Sequence, residues 1–270
     1  MSTDQNTIFP QNGYAHLTHF KHQCFSGSYD EIKQLERAVH LNVLRYWDRR
    51  WEYPFFLCSI QCGPKDGAVL DAGAGRSILP FWLYKNGYRV SALDVDDGSF
   101  YPPGSLSEWY KERNKILNSD VELTNGSVEQ LHYDNDTFDI VCSMSVLEHV
   151  SDPLLAIREL WRVLKPSGIL VVTVDISLDG SRQLLKRQYE EMKGFLDLVG
   201  FSLFPTRELD SESVTTDWFR KNEPSALPWE KVKRPFKDRI HALVRGDLQS
   251  TMKWRQHFDT MAVAGLAYRK

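Results

Sequence analysis

Several things are scarce in this sequence, and each scarcity excludes something. No run of apolar residues approaches the ~20 needed to cross a bilayer as a helix, so no membrane partner is expected. The amino-terminal stretch MSTDQNTIFPQNGYAH lacks a basic segment followed by an apolar one, so no secretory leader is expected there. Neither sign of charge dominates. A net charge of −3 offers no basic field for nucleic acid or an anionic surface. Cysteine is rare, with only Cys24, Cys58, Cys62 and Cys142 in 270 residues. That is too few for a disulfide framework and suits a reduced, cytoplasmic protein. Cys58 and Cys62 could join His22 or Cys24 around zinc, but their i, i+4 spacing reads more simply as one face of a helix, and no metal is expected.

What is present is an ordinary globular composition, 42% hydrophobic and 26% charged, long enough for one large domain with appendages. Ser28 and Glu31 form a capping-box pattern, and Ile32, Leu35, Val39, Val43 and Tyr46 follow at helical spacing, predicting a helix to about Arg50. Pro54 is read as opening a second helix, Phe55 to Ile60. From Ala68 onward, short apolar strands alternate with amphipathic helices. Strands are expected at Ala68–Asp71, Tyr88–Asp94, Val121–Thr124, Phe138–Ser143, Ile169–Val174 and Phe201–Pro205, with a last one at Met261–Tyr268. Helices are expected at Ser77–Lys85, Leu106–Leu117, from Asp152 to Leu164, and Ser181–Val199. Alternation of this kind implies an α/β fold, a doubly wound and mostly parallel seven-stranded sheet. The expected organisation is an N-terminal helical cover over 1–62, a core over 63–209, an insertion over 210–257 and the final core strand over 258–270. His16, His19 and His22 would share one face of a helix in the cover. The insertion carries Trp218, Trp229 and Trp254 and would suit a lid over the acceptor.

One turn stands out. The segment VLDAGAGRS, 69–77, runs from an apolar strand through Asp71 into Gly73 and Gly75. Ligands of parallel sheets sit at the carboxyl ends of the strands, and glycine permits close approach to the backbone there. Asp94, ending the next strand, is placed to accept hydrogen bonds from a ribose. A dinucleotide fingerprint would need a third glycine where Ile78 stands. Asp71 would also repel a pyrophosphate, whereas it would favour a cationic ligand.

These residues resemble motif I of the class I S-adenosylmethionine-dependent methyltransferases, of the small-molecule branch. The likeness continues through GYRVSALDVDD at 87–97, NGSVEQL at 125–131, and FDIVCSMSVLEHVSDPLLAIRELWRVLKPSGILVVTV at 138–174. The resemblance implies S-adenosylmethionine as cofactor, a Rossmann-like methyltransferase fold and the following roles. Asp71, Ala72, Gly73 and Gly75 cradle the methionine part. Asp94 holds the ribose, and Val95 lies against the adenine. Ser127 and Val128 reach the adenine edge, Ser127 standing where members carry an acid. Ser143 contacts the methionine end. An arginine ahead of the first core strand, Arg50 in RRWEYPF, would pair with the cofactor carboxylate.

Methyl transfer is an in-line displacement that needs alignment above all. A hydroxyl acceptor gains from a general base, and His149, oriented by Asp175 with Glu148 beside it, is the first choice. Some related enzymes bind Mg²⁺ through an E-x-x-E-H cluster, but Ser145 replaces its first acid here. After the fourth strand the chain reads Ser143-Met144-Ser145-Val146 in place of the turn used by enzymes that methylate base or Gln amines. The expectation is therefore O-methylation, or else N-methylation, of a small molecule such as a sugar or natural product, by a monomer or homodimer. An NAD(P)-dependent oxidoreductase and a non-catalytic cofactor-binding scaffold are the alternatives.

Overall fold

Strand β2 (Ala68–Ala72) sits near the middle of the sheet and is nearly all apolar because both its faces are covered. A computed structural model describes residues 12–15, 23–41, 48–97, 104–178, 180, 184–209, 213, 215 and 261–270. In chain order the elements are β1 (Asn12–Tyr14), α1 (Gln23–Ala38), α2 (Arg49–Ile60), β2, α3 (Leu79–Lys85), β3 (Arg89–Asp94), α4 (Leu106–Leu117), β4 (Glu122–Asn125), β5 (Phe138–Met144), α5 (Pro153–Val163), β6 (Leu164–Ser177), β7 (Leu184–Leu185), α6 (Lys186–Val199), β8 (Phe201–Ser202), β9 (Thr206–Arg207) and β10 (Met261–Arg269).

The sheet order is β4-β3-β2-β5-β6-β10-β1-β9, with β7 on β6 and β8 on β10. Strands β2 to β6 run parallel, and β10 is antiparallel to β6 over nine residue pairs. The winding reverses between β2 and β5, which makes the crevice above their carboxyl ends the natural ligand site. Among the described residues the sheet has ten strands where seven were expected. β1, β7 and β9 are two or three residues each, too short to leave a periodic trace.

Two apolar layers enclose the sheet. One face packs α2, α3 and α4 through residues such as Phe55, Phe81 and Ile140; the other packs α5 and α6 through Leu160, Val172 and Leu196. Helix α2 is buried on all sides from Trp51 to Ile60. It presses so closely on β10 that a Cβ at Gly265 would lie 2.6 Å from the Phe55 ring, which is why a glycine stands in mid-strand. Helix α5 starts as read: Asp152 Oδ1 accepts from the Leu155 N–H at 2.9 Å, and Pro153 follows at the first helical position.

Several boundaries differ from expectation. Helix α1 already includes Gln23, so Ser28 lies inside it and not at its start; Glu31 accepts from Trp82 Nε1 at 2.7 Å, tying the cover to α3. The helix stops at Ala38, well short of Arg50. Pro54 lies inside α2, whose first turn begins five residues earlier, at Arg49. Strand β6 starts directly at Leu164, ahead of the expected start at Ile169, and runs through Pro166 and Gly168. Cys58 is disulfide-bonded while Cys62 and Cys142 are free thiols, so the expectation of an entirely reduced chain is corrected. Val43, Tyr46, His16, His19, His22 and the 210–257 insertion, apart from Ser213 and Thr215, lie outside the described residues. Among the described residues no helix is long and apolar enough to cross a membrane.

Candidate active site

The turn after β2 is locked from the β3 side. The N–H groups of Gly73 and Ala74 both donate to the Leu93 carbonyl, at 2.7 and 3.0 Å. Gly75 N–H donates to Asp94 Oδ2 and Val95 N–H to Asp94 Oδ1, each at 2.7 Å. Asp94 therefore closes the glycine turn, and each carboxylate oxygen keeps a lone pair for a ligand. Burial raises its pKa, against the pull of those two N–H groups. Val95, expected against an adenine, is an apolar side chain left 44% exposed at this rim.

Gly73 adopts φ +78°, and a Cβ there would sit 2.3 Å from Val146 Cγ2. Within the fold, the close approach that demands this glycine is made by Val146, from the loop after β5. Gly73→Ala is expected to cost about 2–4 kcal/mol from the left-handed backbone and the overlap together; urea unfolding midpoints measure it. Gly75 also has positive φ, at +49°.

Asp71 lies near the carboxyl end of β2, 2% exposed, and its Oδ2 has no hydrogen-bond partner among the described residues. Burial, with Asp94 adding repulsion, pushes its pKa up to about 8. Tyr110 of α4 brings a second buried oxygen without a partner, and its titration is shifted upward first by burial and then by the charges of Asp71 and Asp94. Sequence reading missed Tyr110 because one tyrosine on an amphipathic helix carries no motif.

The Ser143 hydroxyl is fully buried and donates to the Ala72 carbonyl at 3.0 Å, joining β5 to β2. That hydroxyl is committed inside the sheet, so any contact of Ser143 with the methionine end would fall to its backbone. Ser127 Oγ accepts from the Glu129 N–H at 3.1 Å in a tight turn, keeping its own O–H to donate, and Val128 is buried beside it.

A second cluster stands at the ends of β5 and β6. Glu52 of α2 is 0% exposed and accepts from Ser145 Oγ at 2.6 Å, from Thr173 Oγ1 at 2.5 Å and from Arg49. The guanidinium that reaches this region is Arg49's. Its charge acts on Asp71, Glu148, His149 and Asp175, a role the sequence reading did not give to Arg49. The signal was present as Arg49 and Glu52 at i, i+3, but a helix drawn through Arg50 concealed it.

Glu148 and Asp175 are each 9% exposed. The Asp175 N–H donates to Glu148 Oε1 at 3.4 Å, while Glu148 Oε2 and Asp175 Oδ1 have no partner. Burial raises both pKa values, and the Glu148 charge raises Asp175 further. His149 is exposed, with its pKa lowered by surrounding protein and by Arg49. No hydrogen bond joins it to Asp175. The expected His149–Asp175 pair is replaced by a Glu148–Asp175 pair because the Glu148 side chain turns toward β6.

A wound sheet with an antiparallel last strand, an acid–glycine turn after β2 and an acid closing it from β3 make up a Rossmann-like fold of the kind methyltransferases use. Residues 70–172 match the family described as a methyltransferase domain. Over 119 residues the chain is 33% identical to the mitochondrial ubiquinone biosynthesis O-methyltransferase of Schizosaccharomyces pombe, covering 44% of this chain and 40% of that one. It is 32% identical over 169 residues to the sarcosine/dimethylglycine N-methyltransferase of Halorhodospira halochloris, covering 58% and 55%. The chain thus spans about half the length of these curated relatives. The solved structure of the 4+2 cyclase SpnF shares the fold, at a TM-score of 0.56 and 21% identity over 92% of this chain and 96% of that one.

Proposed function

We propose that the protein transfers a methyl group from S-adenosylmethionine to a hydroxyl or amine of a small molecule. The observation that carries this reading is Asp71, a buried carboxylate with an unpartnered oxygen at the sheet's switch point. A buried acceptor of this kind needs a donor, preferably a charged one, and an α-ammonium group supplies both. Asp71, Ala72, Gly73 and Gly75 would hold the methionine part, with Arg49 near its carboxylate. Asp94 would hold the ribose, and Val95, Ser127 and Val128 the adenine. When bound, the cofactor supplies a methyl on a positively charged sulfur, which takes the electron pair of the broken C–S bond as the acceptor's lone pair forms the new bond.

The relatives do not choose the acceptor atom, since one is named for oxygen and the other for nitrogen. The preference for oxygen rested on His149 held by Asp175, which the geometry does not join. The net charge of −3 and the acidic rim favour a small acceptor over nucleic acid. Isothermal titration calorimetry tests the cofactor: S-adenosylmethionine is expected to bind and NAD(P) not to bind, and the reverse would overturn the reading. Methyl transfer to a member of a metabolite library separates an enzyme from a cofactor-binding scaffold.

A further inference from the structure

The ends of β5 and β6 hold more carboxyl groups than the cofactor uses. Glu148 and Asp175 each keep one buried oxygen without a partner among the described residues. Asp48 and Glu52 of the α2 start add two further carboxylates to the field at Asp175. The only cation acting on Asp175 among these groups, Arg49, is already paired with Glu52. His149, beside Glu148, is held toward its neutral form.

An ionised carboxylate only accepts hydrogen bonds. Two unpartnered carboxylate oxygens therefore call for a ligand with several donors. A hydroxyl brings one donor and no charge, leaving the second oxygen unsatisfied and the field unbalanced. A carboxylate or phosphate would meet repulsion. An ammonium brings three donors and a positive charge, and suits both oxygens.

Resting on the methyltransferase reading, we infer that the acceptor is a primary or secondary amine, bound as its ammonium between Glu148 and Asp175. The pair also gives its proton a destination: one N–H proton passes to a carboxylate oxygen, which frees the nitrogen lone pair, and the pair later returns that proton to water. Burial and mutual repulsion raise the proton affinity of both acids, which fits this role.

The probes are n-butylammonium and n-butanol, matched in size and differing in charge and donor count. Each is titrated at pH 8.5 into the full chain, with binding followed by calorimetry and NMR. Glu148→Gln and Asp175→Asn are examined alongside, and thermal unfolding shows that they fold. Butylammonium is expected to bind at least about tenfold more tightly than butanol, and each variant to lose about tenfold or more, as expected for a lost charge-assisted bond. Both variants are expected to retain S-adenosylmethionine binding. Equal or tighter binding of butanol, no butylammonium binding, or binding unchanged in both variants overturns the inference. If one variant does not fold, the other decides. Loss of S-adenosylmethionine binding by the wild type would instead overturn the parent reading, leaving the butylammonium result to stand by itself.

Discussion

Asp71→Asn is expected to weaken S-adenosylmethionine binding roughly ten- to a hundredfold while stabilising the ligand-free protein. The first effect follows from losing a charge-assisted hydrogen bond to a buried carboxylate, worth about 1.5–3 kcal/mol. The second follows from the sign of the pKa shift. In the fold burial pushes the Asp71 pKa up to about 8, against 3.8 for an ordinary aspartate. The folded state therefore favours the neutral acid. As pH rises from about 4 to 8 the unfolded chain has released this proton and the folded chain has not, so stability falls across that window and the penalty is full above it. At 1.36 kcal/mol per unit the cost reaches a few kcal/mol at pH 9. Asparagine carries no such charge. Its stabilising effect should vanish near pH 4 and grow toward pH 9, as read from thermal unfolding across pH. Cofactor binding should also release a proton from the wild type at pH 7. Calorimetry in buffers of different ionisation enthalpy detects it, and Asp71→Asn should abolish it.

The largest loss of stability is expected at Glu52. Its carboxylate joins three elements: Arg49 on its own helix, Ser145 on the loop after β5, and Thr173 on β6. Glu52→Ala leaves a mostly buried guanidinium without its partner and strands two buried hydroxyls. Breaking one side of a buried ion pair costs about 3–5 kcal/mol. Thr173→Val removes a single donor and should cost about 1 kcal/mol. Chemical denaturation of the two variants separates these cases. Near-equal values would mean that the Arg49 pairing contributes little.

The parallel core was legible in the sequence because each element carries its own period. Helix α4 occupies Leu106–Leu117 as read, and α5 begins at the Asp152–Pro153 signal. The acids at strand ends, Asp71 and Asp94, were likewise legible, since an acid ending an apolar strand has no packing reason to be there. What escaped depends on tertiary neighbours. The role of Arg49 turns on where α2 starts, and that start is set by burial of the helix on all sides, which erases its amphipathic period. The pairing of Glu148 with Asp175 depends on which way a loop side chain turns, and the tie of Ser143 to Ala72 on a contact between strands far apart in sequence. The need for Gly73 was legible, but its cause within the fold, Val146, lies over seventy residues away.

The nine-residue pairing of β10 with β6 has a consequence for biogenesis. A ribosome that has so far delivered only residues before 261 displays β6, the longest and one of the most apolar strands, with an open edge. Such an edge is a template for pairing with another chain. The nascent polypeptide must therefore wait for its closing strand, which makes this stage of synthesis the one at which chaperone holding matters most.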